Sequence, residues 1–378
     1  MRQSRYDIIF LDFGVPLETR YQSGGQLANL VFYLNKSQIK SAICVIPYPG
    51  YNPFNHGKNR RTIVSRIGGV LSLHNISANL IRKIILRYRK EDFIDIDILK
   101  IKNYKQLEKL DTHYLSAWSW ESAYILNKTK VKNGTIKVQV LHYMWEPEYL
   151  LDYFSKDFLL LFKEAYFSEM IKIAISKKQL NNFTGSEVFH WVQGINTQQF
   201  FYKKVIASQP LQVLLTLRNP KEKGAIYAIQ AAKIIHNANK NIKFVSFGNY
   251  SGDIPQFIEH HGIVDLKDMI ELYRGSDVFI LPSLFEGFSL PGLEAMASGC
   301  AIISTRNGGS EQYIVNEING FLVEPAKAEA IADTVLKLSE DRECLRNIAL
   351  NGQRTVFEYT YEKAAQRFLN ILKEIDKL

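Results

Sequence analysis

The chain has 378 residues, 46% hydrophobic and 22% charged, with a formal net charge of +9. That length and apolar content suffice for two cores of ordinary size. No run of eighteen uninterrupted apolar residues occurs, which argues against a membrane-spanning helix. Three widely spaced cysteines, Cys44, Cys300 and Cys344, form neither a metal motif nor a paired framework and read as small core residues of a reducing compartment.

In chain order, Ile8–Phe13 predicts a first strand, with none of the long apolar core and cleavage site of a signal peptide. Gly24 and Gly25 precede Leu27, Leu30, Val31 and Leu34 at helical spacing, and Ser41–Ile46 is a second strand. A loop by composition follows at 47–53. Asp95–Leu99, Tyr114–Trp118 and Lys137–Leu141 are further strands, Leu150–Tyr166 is helical, and Ile171–Ser176 is a late strand. The pattern then restarts. Leu211–Leu217 is a strand, and Gly224–Asn237 is a helix with Ile226, Ile229, Ala232 and Ile235 near one face. Lys243–Phe247, Val278–Leu281 and Ala301–Ser304 are strands, with a helix at Leu266–Arg274. Tyr361–Leu378 is an amphipathic helix with Ala364, Phe368, Ile371, Leu372 and Ile375 on one side. Strand and helix alternate throughout, which specifies doubly wound α/β units and not a sandwich. The expected division is 1–205, 206–360 and the terminal helix 361–378.

The densest chemistry lies in 286–294, where Glu286 and Glu294 stand eight positions apart across a strand-to-helix turn. Val278–Leu281 is a short apolar run suited to a buried parallel strand, and Pro291 fits the first turn of a helix that Gly299 ends. Glu286 is therefore predicted on the loop leaving a strand's carboxyl end, and Glu294 about one turn inside the next helix. Open α/β sheets bind ligands at such crevices, where the free N–H groups of a helix start favour anions.

Around this pair, Asp277–Ser283 leads into Glu286-Gly287-Phe288 and then Leu293–Gly299. Gly308-Gly309-Ser310-Glu311 and Gly320–Val323 follow, while Leu217–Gly224 and Gly194–Phe200 lie upstream. In this order the segments resemble the retaining family-4 glycosyltransferases, densely over 190–325 and more thinly before. A fainter similarity, in Ser116–Ala123 and His142–Glu148, is to rhamnosyltransferases of surface polysaccharides. The resemblance implies a GT-B fold, in which two Rossmann-like domains face each other across a cleft. The first would bind the acceptor and the second a nucleotide diphosphate sugar, with the last helix crossing back to the first domain.

Carried over residue by residue, the resemblance puts Arg218 and Lys223 at the donor diphosphate. Charge grows there as the glycosidic bond breaks, so fixed cations favour the transition state over the ground state. Glu294 resembles the ribose ligand, because a carboxylate accepts from both vicinal hydroxyls. Glu286 resembles the carboxylate near the donor sugar. Phe288, Ser289 and Leu290 would offer backbone N–H groups, although Ser289 stands where many members have Gly. Gly24 and Gly25 match the glycine loop between the first strand and helix. His142 matches the active-site histidine ending a strand, and His113, which precedes its predicted strand, is the competing candidate. Glu311 follows a glycine turn and reads equally as a carboxylate at a helix start. Trp145 and Glu146 are candidate acceptor contacts. Retention in this family proceeds by same-face attack with the leaving phosphate taking the proton, so no glycosidase-like carboxylate pair is needed. No metal or other cofactor is expected, since Asp95-Ile96-Asp97 alternates as an ordinary strand.

The charge is uneven. Residues 1–204 hold 29 Lys and Arg against 17 Asp and Glu, and Thr19–Lys90 has twelve basic residues and no acidic one. Ile63–Tyr88 mixes Ile, Val and Leu with Arg66, Arg82, Lys83 and Arg87, a combination suited to an anionic membrane surface or simply to a solvated basic face. Nucleic acid is not expected, for no helix-turn-helix, zinc or RNA-recognition motif accompanies the charge. The resulting expectation is a cytoplasmic, peripherally membrane-associated transferase acting on a lipid-linked or cell-surface polysaccharide. A nucleotide-sugar epimerase or phosphorylase, or a non-catalytic sugar-binding partner, remains as an alternative.

Overall fold

The computed structural model describes residues 6–13, 24–46, 96–142, 156–183, 187–202 and 210–378. The chain divides into two compact units: Met1–Trp191 together with Ala364–Leu378, and Val192–Lys363.

In the first unit, β1 (Tyr6–Phe13), β2 (Ser41–Ile46), β3 (Asp97–Lys100), β4 (Thr112–Ala117), β5 (Ile136–Leu141), β6 (Ile171–Ala174) and β7 (Val188–His190) form one sheet in the order β3-β2-β1-β4-β5-β6-β7. Every neighbouring pair is parallel. Continuous apolar runs are what a sheet buried on both faces requires, and Ile8, Ile9, Phe10 and Leu11 are fully buried. Helix α1 (Gly24–Lys36) covers the sheet with Leu27, Leu30, Val31 and Leu34, all buried, while α2 (Trp120–Lys128) and α3 (Lys156–Tyr166) pack on each other. Strand order reverses between β1 and β4, which makes the carboxyl ends of those strands the switch point.

The second unit repeats the plan. Strands β8 (Gln212–Thr216), β9 (Lys243–Phe247), β10 (Ile258–His260), β11 (Val278–Leu281), β12 (Ala301–Thr305) and β13 (Phe321–Val323) lie in the order β10-β9-β8-β11-β12-β13, all parallel. Helices α4 (Ala225–Ala238), α5 (Leu266–Gly275), α6 (Leu290–Ala297), α7 (Ala328–Glu340) and α8 (Arg342–Val356) complete it. Here the order reverses between β8 and β11, so the loops carrying Arg218–Lys223 and Glu286–Ser289 flank the switch point.

Some expectations need correction. Ile226 is 53% exposed, because the buried stripe of α4 runs through Ala225, Ala228, Ile229, Ala232 and Ile235 and leaves Ile226 on its outer flank. Strands β7, β10 and β13 have three residues each and were not foreseen. The junction between units lies at 191/192, upstream of the expected 205/206, because residues 192–202 dock on the second unit. There Ile195 N–H donates to Tyr359 O at 2.7 Å, Tyr202 N–H donates to Ala297 O at 3.2 Å, and a Cβ on Gly194 would stand 2.5 Å from Thr360 O.

The last helix, α9 (Tyr361–Ile375), joins the first unit from Ala364 onward. The Trp191 indole N–H donates to Ala364 O at 2.8 Å, Phe368 packs on Phe10 and Trp191, and the Tyr114 hydroxyl donates to Leu372 O at 2.9 Å. Among the described residues no helix is long and apolar enough to cross a membrane.

Candidate active site

The loop after β8 and the loop after β11 are joined by three contacts. Gly224 has φ +66°, and a Cβ there would stand 2.0 Å from Pro282 O, so only glycine allows the approach. The Leu284 N–H donates to Glu222 O at 2.7 Å. Lys223 Nζ lies 2.9 Å from Glu286 Oε1, which also accepts from the Ser283 hydroxyl at 2.8 Å. Both side chains of the ion pair are mostly buried, 20% exposed for Lys223 and 14% for Glu286. Lys223 thus sits on a carboxylate in the free protein. Arg218, two residues past the end of β8, is half-buried and makes no ion pair or side-chain hydrogen bond among the described residues. Gly248, with φ +130°, lies against the backbone just before Arg218, where a Cβ would stand 2.0 Å from Leu217 O.

Beyond Glu286 the chain enters α6 through Ser289, which has φ +69°, a conformation a non-glycine residue holds at a cost of about 1–3 kcal/mol. Tyr313 restrains it by donating its hydroxyl to Ser289 O at 2.8 Å, and Gly292 makes space for that tyrosine, as a Cβ would stand 2.1 Å from its oxygen. The Ser289 hydroxyl is buried and has no hydrogen-bond partner among the described residues. No side chain caps α6; Pro291 has no N–H and the Gly292 N–H donates to Ser289 O at 3.2 Å, so in the first turn it is the Leu290 N–H that keeps its capacity for an anion. Phe288 is buried against Tyr313 and Tyr359, which holds its backbone beside the helix start.

Glu294 lies within α6, one turn in. Its carboxylate accepts a long 3.4 Å bond from the Tyr273 hydroxyl, and burial pushes its pKa up to about 7 against the slight lowering from that bond. Tyr273 is itself fully buried, and burial, then the neighbouring Glu294, raises its pKa far above the usual range.

A third loop, after β12, closes the site. Glu311 is exposed and accepts the Gly308 N–H at 2.8 Å, so it caps the turn, the structural reading of that residue. Asn307 is 2% exposed and was not singled out from the sequence, where an Asn before two glycines signals only a turn. Ser283, Tyr273 and Tyr313 also escaped notice, since a serine or tyrosine without a motif carries no signal of its own.

In the first unit, His142 follows β5 directly, with its ring 4.4 Å from that of the buried Trp118. Gly24 and Gly25 open α1. His113 lies inside β4, near its start and at the sheet edge opposite His142, where its Nε2 is 2.8 Å from Asp376. It is a clasp for the last helix. Asp97 accepts the Tyr6 hydroxyl at 2.9 Å as an ordinary strand residue. Trp145, Glu146, Asp95 and the stretch Ile63–Tyr88 lie outside the described residues. The structure therefore gathers Arg218, Lys223, Glu286, Phe288, Ser289, Leu290 and Glu294 at the carboxyl edge of the second sheet, and places His142, Gly24 and Gly25 at that edge of the first.

Comparison with known proteins agrees with this plan. Residues 196–355 match the family model described as glycosyl transferases group 1. An uncharacterized glycosyltransferase of Methanocaldococcus jannaschii is 30% identical over 175 residues, 43% of this chain and 44% of that protein. The capsular polysaccharide biosynthesis glycosyltransferase CapM of Staphylococcus aureus is 29% identical over 169 residues, 41% of this chain and 44% of its own length. The matched stretch thus spans less than half of either relative. The crystal structure of Anabaena HepE in complex with UDP and glucose superposes with a TM-score of 0.69 at 14% identity, covering 98% of this chain and 100% of that one. Such a likeness shows the fold, two parallel-sheet Rossmann-like domains of the GT-B type.

Proposed function

We propose that this chain, which carries a group 1 glycosyl transferase domain in its second unit, is a retaining glycosyltransferase that uses a nucleotide diphosphate sugar. The observation that carries the reading is the Lys223–Glu286 pair at the switch point, beside an uncapped helix start and one helix turn from the half-buried carboxylate of Glu294. Such a site offers cations and N–H donors to a diphosphate and acceptors to hydroxyl groups within one loop cluster. Neither a core nor a solvated surface needs that combination.

In this reading Arg218 holds two oxygens of the diphosphate and Lys223 leaves Glu286 to meet the charge that grows on it. The Leu290 N–H completes the anion site. Glu294 accepts from the ribose diol, and the freed Glu286 carboxylate accepts from the donor sugar. His142, oriented by Trp118, would stand near the reacting sugar, and Gly24 and Gly25 would let an acceptor approach the backbone. The departing phosphate takes the proton of the acceptor hydroxyl on the same face, and no metal is assigned because Arg218 and Lys223 supply the charge. The acceptor proposed is a lipid-linked or cell-surface polysaccharide. CapM, named for capsular polysaccharide biosynthesis, and the excess of basic residues before Phe201 support it. The same excess supports peripheral attachment to an anionic membrane on the cytoplasmic side.

The test is a donor screen on the purified chain with UDP-, GDP- and dTDP-sugars, with and without lipid-linked acceptor extract, reading nucleoside diphosphate release. Acceptor-dependent release from one donor, with retained anomeric configuration in the product, supports the proposal. Conversion of a donor in the absence of acceptor would favour an epimerase, and binding without turnover a non-catalytic partner.

A further inference from the structure

The Asn307 side chain makes four hydrogen bonds, and the chemistry above assigns it nothing. Its Oδ1 accepts the Gly309 N–H at 3.0 Å and the Ser310 N–H at 2.9 Å. Its Nδ2 donates to the hydroxyls of Ser304 at 3.2 Å and Ser310 at 3.0 Å. Its carbonyl accepts the Glu286 N–H at 2.9 Å. Five bonds converge on one residue that is 2% exposed, so none of them is shared with water.

Those bonds act across the site. The turn that Asn307 ties down presses on the loop bearing Glu286, for a Cβ on Gly309 would stand 2.9 Å from Glu286 Cβ and 3.0 Å from the backbone of Phe288. Contact that close leaves the loop no room to relax toward β12 while the turn holds. On the other side, Glu286 is pinned by Ser283 and Lys223. Ser283 is tied to β12 as well, because its carbonyl accepts the Thr305 hydroxyl. Remove the Asn307 side chain and two buried N–H groups lose their acceptor, the turn loosens, and Glu286 loses the wall behind it.

We infer that Asn307 is a positioning residue that sets where the Glu286 carboxylate stands, through the Gly308–Ser310 turn and the backbone bond to Glu286. The inference rests on the transferase reading for its kinetic consequence and on geometry alone for the positioning. A misplacement of about 1 Å at a reacting group costs on the order of 10²-fold in rate.

The experiment compares the full-length wild type, Asn307→Ala, Asn307→Asp, Glu286→Gln and the Asn307→Ala/Glu286→Gln double variant. The probe is whichever UDP-, GDP- or dTDP-sugar the wild type turns over, and thermal melts verify that each variant is folded. Asn307→Ala is expected to lower kcat by about 10²-fold with KM for the donor changed less than about threefold. Asn307→Asp keeps the oxygen that holds the two N–H groups, and the neighbouring serine hydroxyls can turn to donate to it, so kcat should recover to within about tenfold. In the Glu286→Gln background Asn307→Ala should cost less than about threefold more, because both changes act on one group. An unchanged kcat, an effect on KM alone, or the same loss in both backgrounds overturns the inference.

Amide exchange on the unliganded protein decides the positioning whether or not any donor is turned over. Asn307→Ala should speed exchange at Glu286, Gly309 and Ser310 by at least about tenfold while the amides of β11 keep their rates. Unchanged exchange at Glu286 overturns it. Absence of turnover in the wild type counts against the transferase reading only.

Discussion

Replacing Glu294 by Gln removes a charge that the fold is strained to hold. In the native protein burial moves the carboxyl pKa from an ordinary 4.5 to about 7, whereas the unfolded chain returns it to the ordinary value. Between those pH values the native state binds the proton and the unfolded state does not. The group's contribution to stability is therefore fully present below pH 4.5 and is lost as the pH rises through 7. At about 1.4 kcal/mol per tenfold difference in proton affinity, the loss comes to about 3.5 kcal/mol above pH 7. Glutamine stays neutral throughout and still offers an oxygen to the Tyr273 hydroxyl. Urea unfolding of the unliganded proteins at pH 5 and pH 8 should show Glu294→Gln gaining on the wild type by roughly 1–3 kcal/mol between the two.

Nucleoside diphosphate affinity should move the other way. A hydrogen bond to a charged acceptor is worth about 1.5–3 kcal/mol, so the variant should bind about 10–100-fold more weakly at pH 8. Wild-type affinity should also fall as the pH drops below 7, since binding must then expel a proton from Glu294, and Glu294→Gln should lack that slope. A variant that is more stable and binds worse is the signature of a carboxylate kept for a ligand. If Glu294→Gln tracks the wild type in stability at both pH values, the buried-charge argument is wrong. If it binds nucleotide as tightly, Glu294 is not the diol acceptor.

Glu286→Gln frees Lys223 from its ion pair, so nucleoside diphosphate should bind more tightly, by about fivefold for a pair worth about 1 kcal/mol, while turnover falls; calorimetric titration reads the sign, and weaker binding would show that Glu286 does not compete for Lys223. Lys172 is 1% exposed, bonded to Gln139 and Ser168, and burial lowers its pKa to about 7 from an ordinary 10.5. Only the unfolded chain stays protonated between those values, so this group should make the first unit about 2 kcal/mol more stable at pH 9 than at pH 7, a slope that Lys172→Met should abolish in denaturant melts. Gly224→Ala places a Cβ against Pro282 O at a left-handed φ, and should cost at least about 2 kcal/mol in the melting of the second unit and slow donor turnover by separating Lys223 from Glu286.

What the sequence disclosed about this site, and what it withheld, follows from how local each feature is. Val278–Leu281, Glu286 and Glu294 were legible because strand, turn and helix follow one another within twenty residues, and the switch point places such a turn at the ligand edge without help from distant chain. The stripe Leu27, Leu30, Val31 and Leu34 was legible for the same reason. Val188–His190, Ile258–His260 and Phe321–Val323 were not, because three residues carry no period and each becomes a strand only by pairing at the outer side of a finished sheet.

Lys172 shows the limit from the other side. In Ile171–Ala174 it occupies the alternate position that a one-sided sheet would turn to water, but β6 lies between β5 and β7, and the ammonium is buried on Gln139 and Ser168. Asn307 is the sharper case. Its turn-forming character is local, while its bond to Glu286 joins two loops that leave adjacent strands, and that adjacency exists only because β11 and β12 pair in register. The pattern predicts which residues can do chemistry. Only the folded chain specifies which neighbours hold them still, and the linkage of Asn307 to Glu286 is a fact of the second kind.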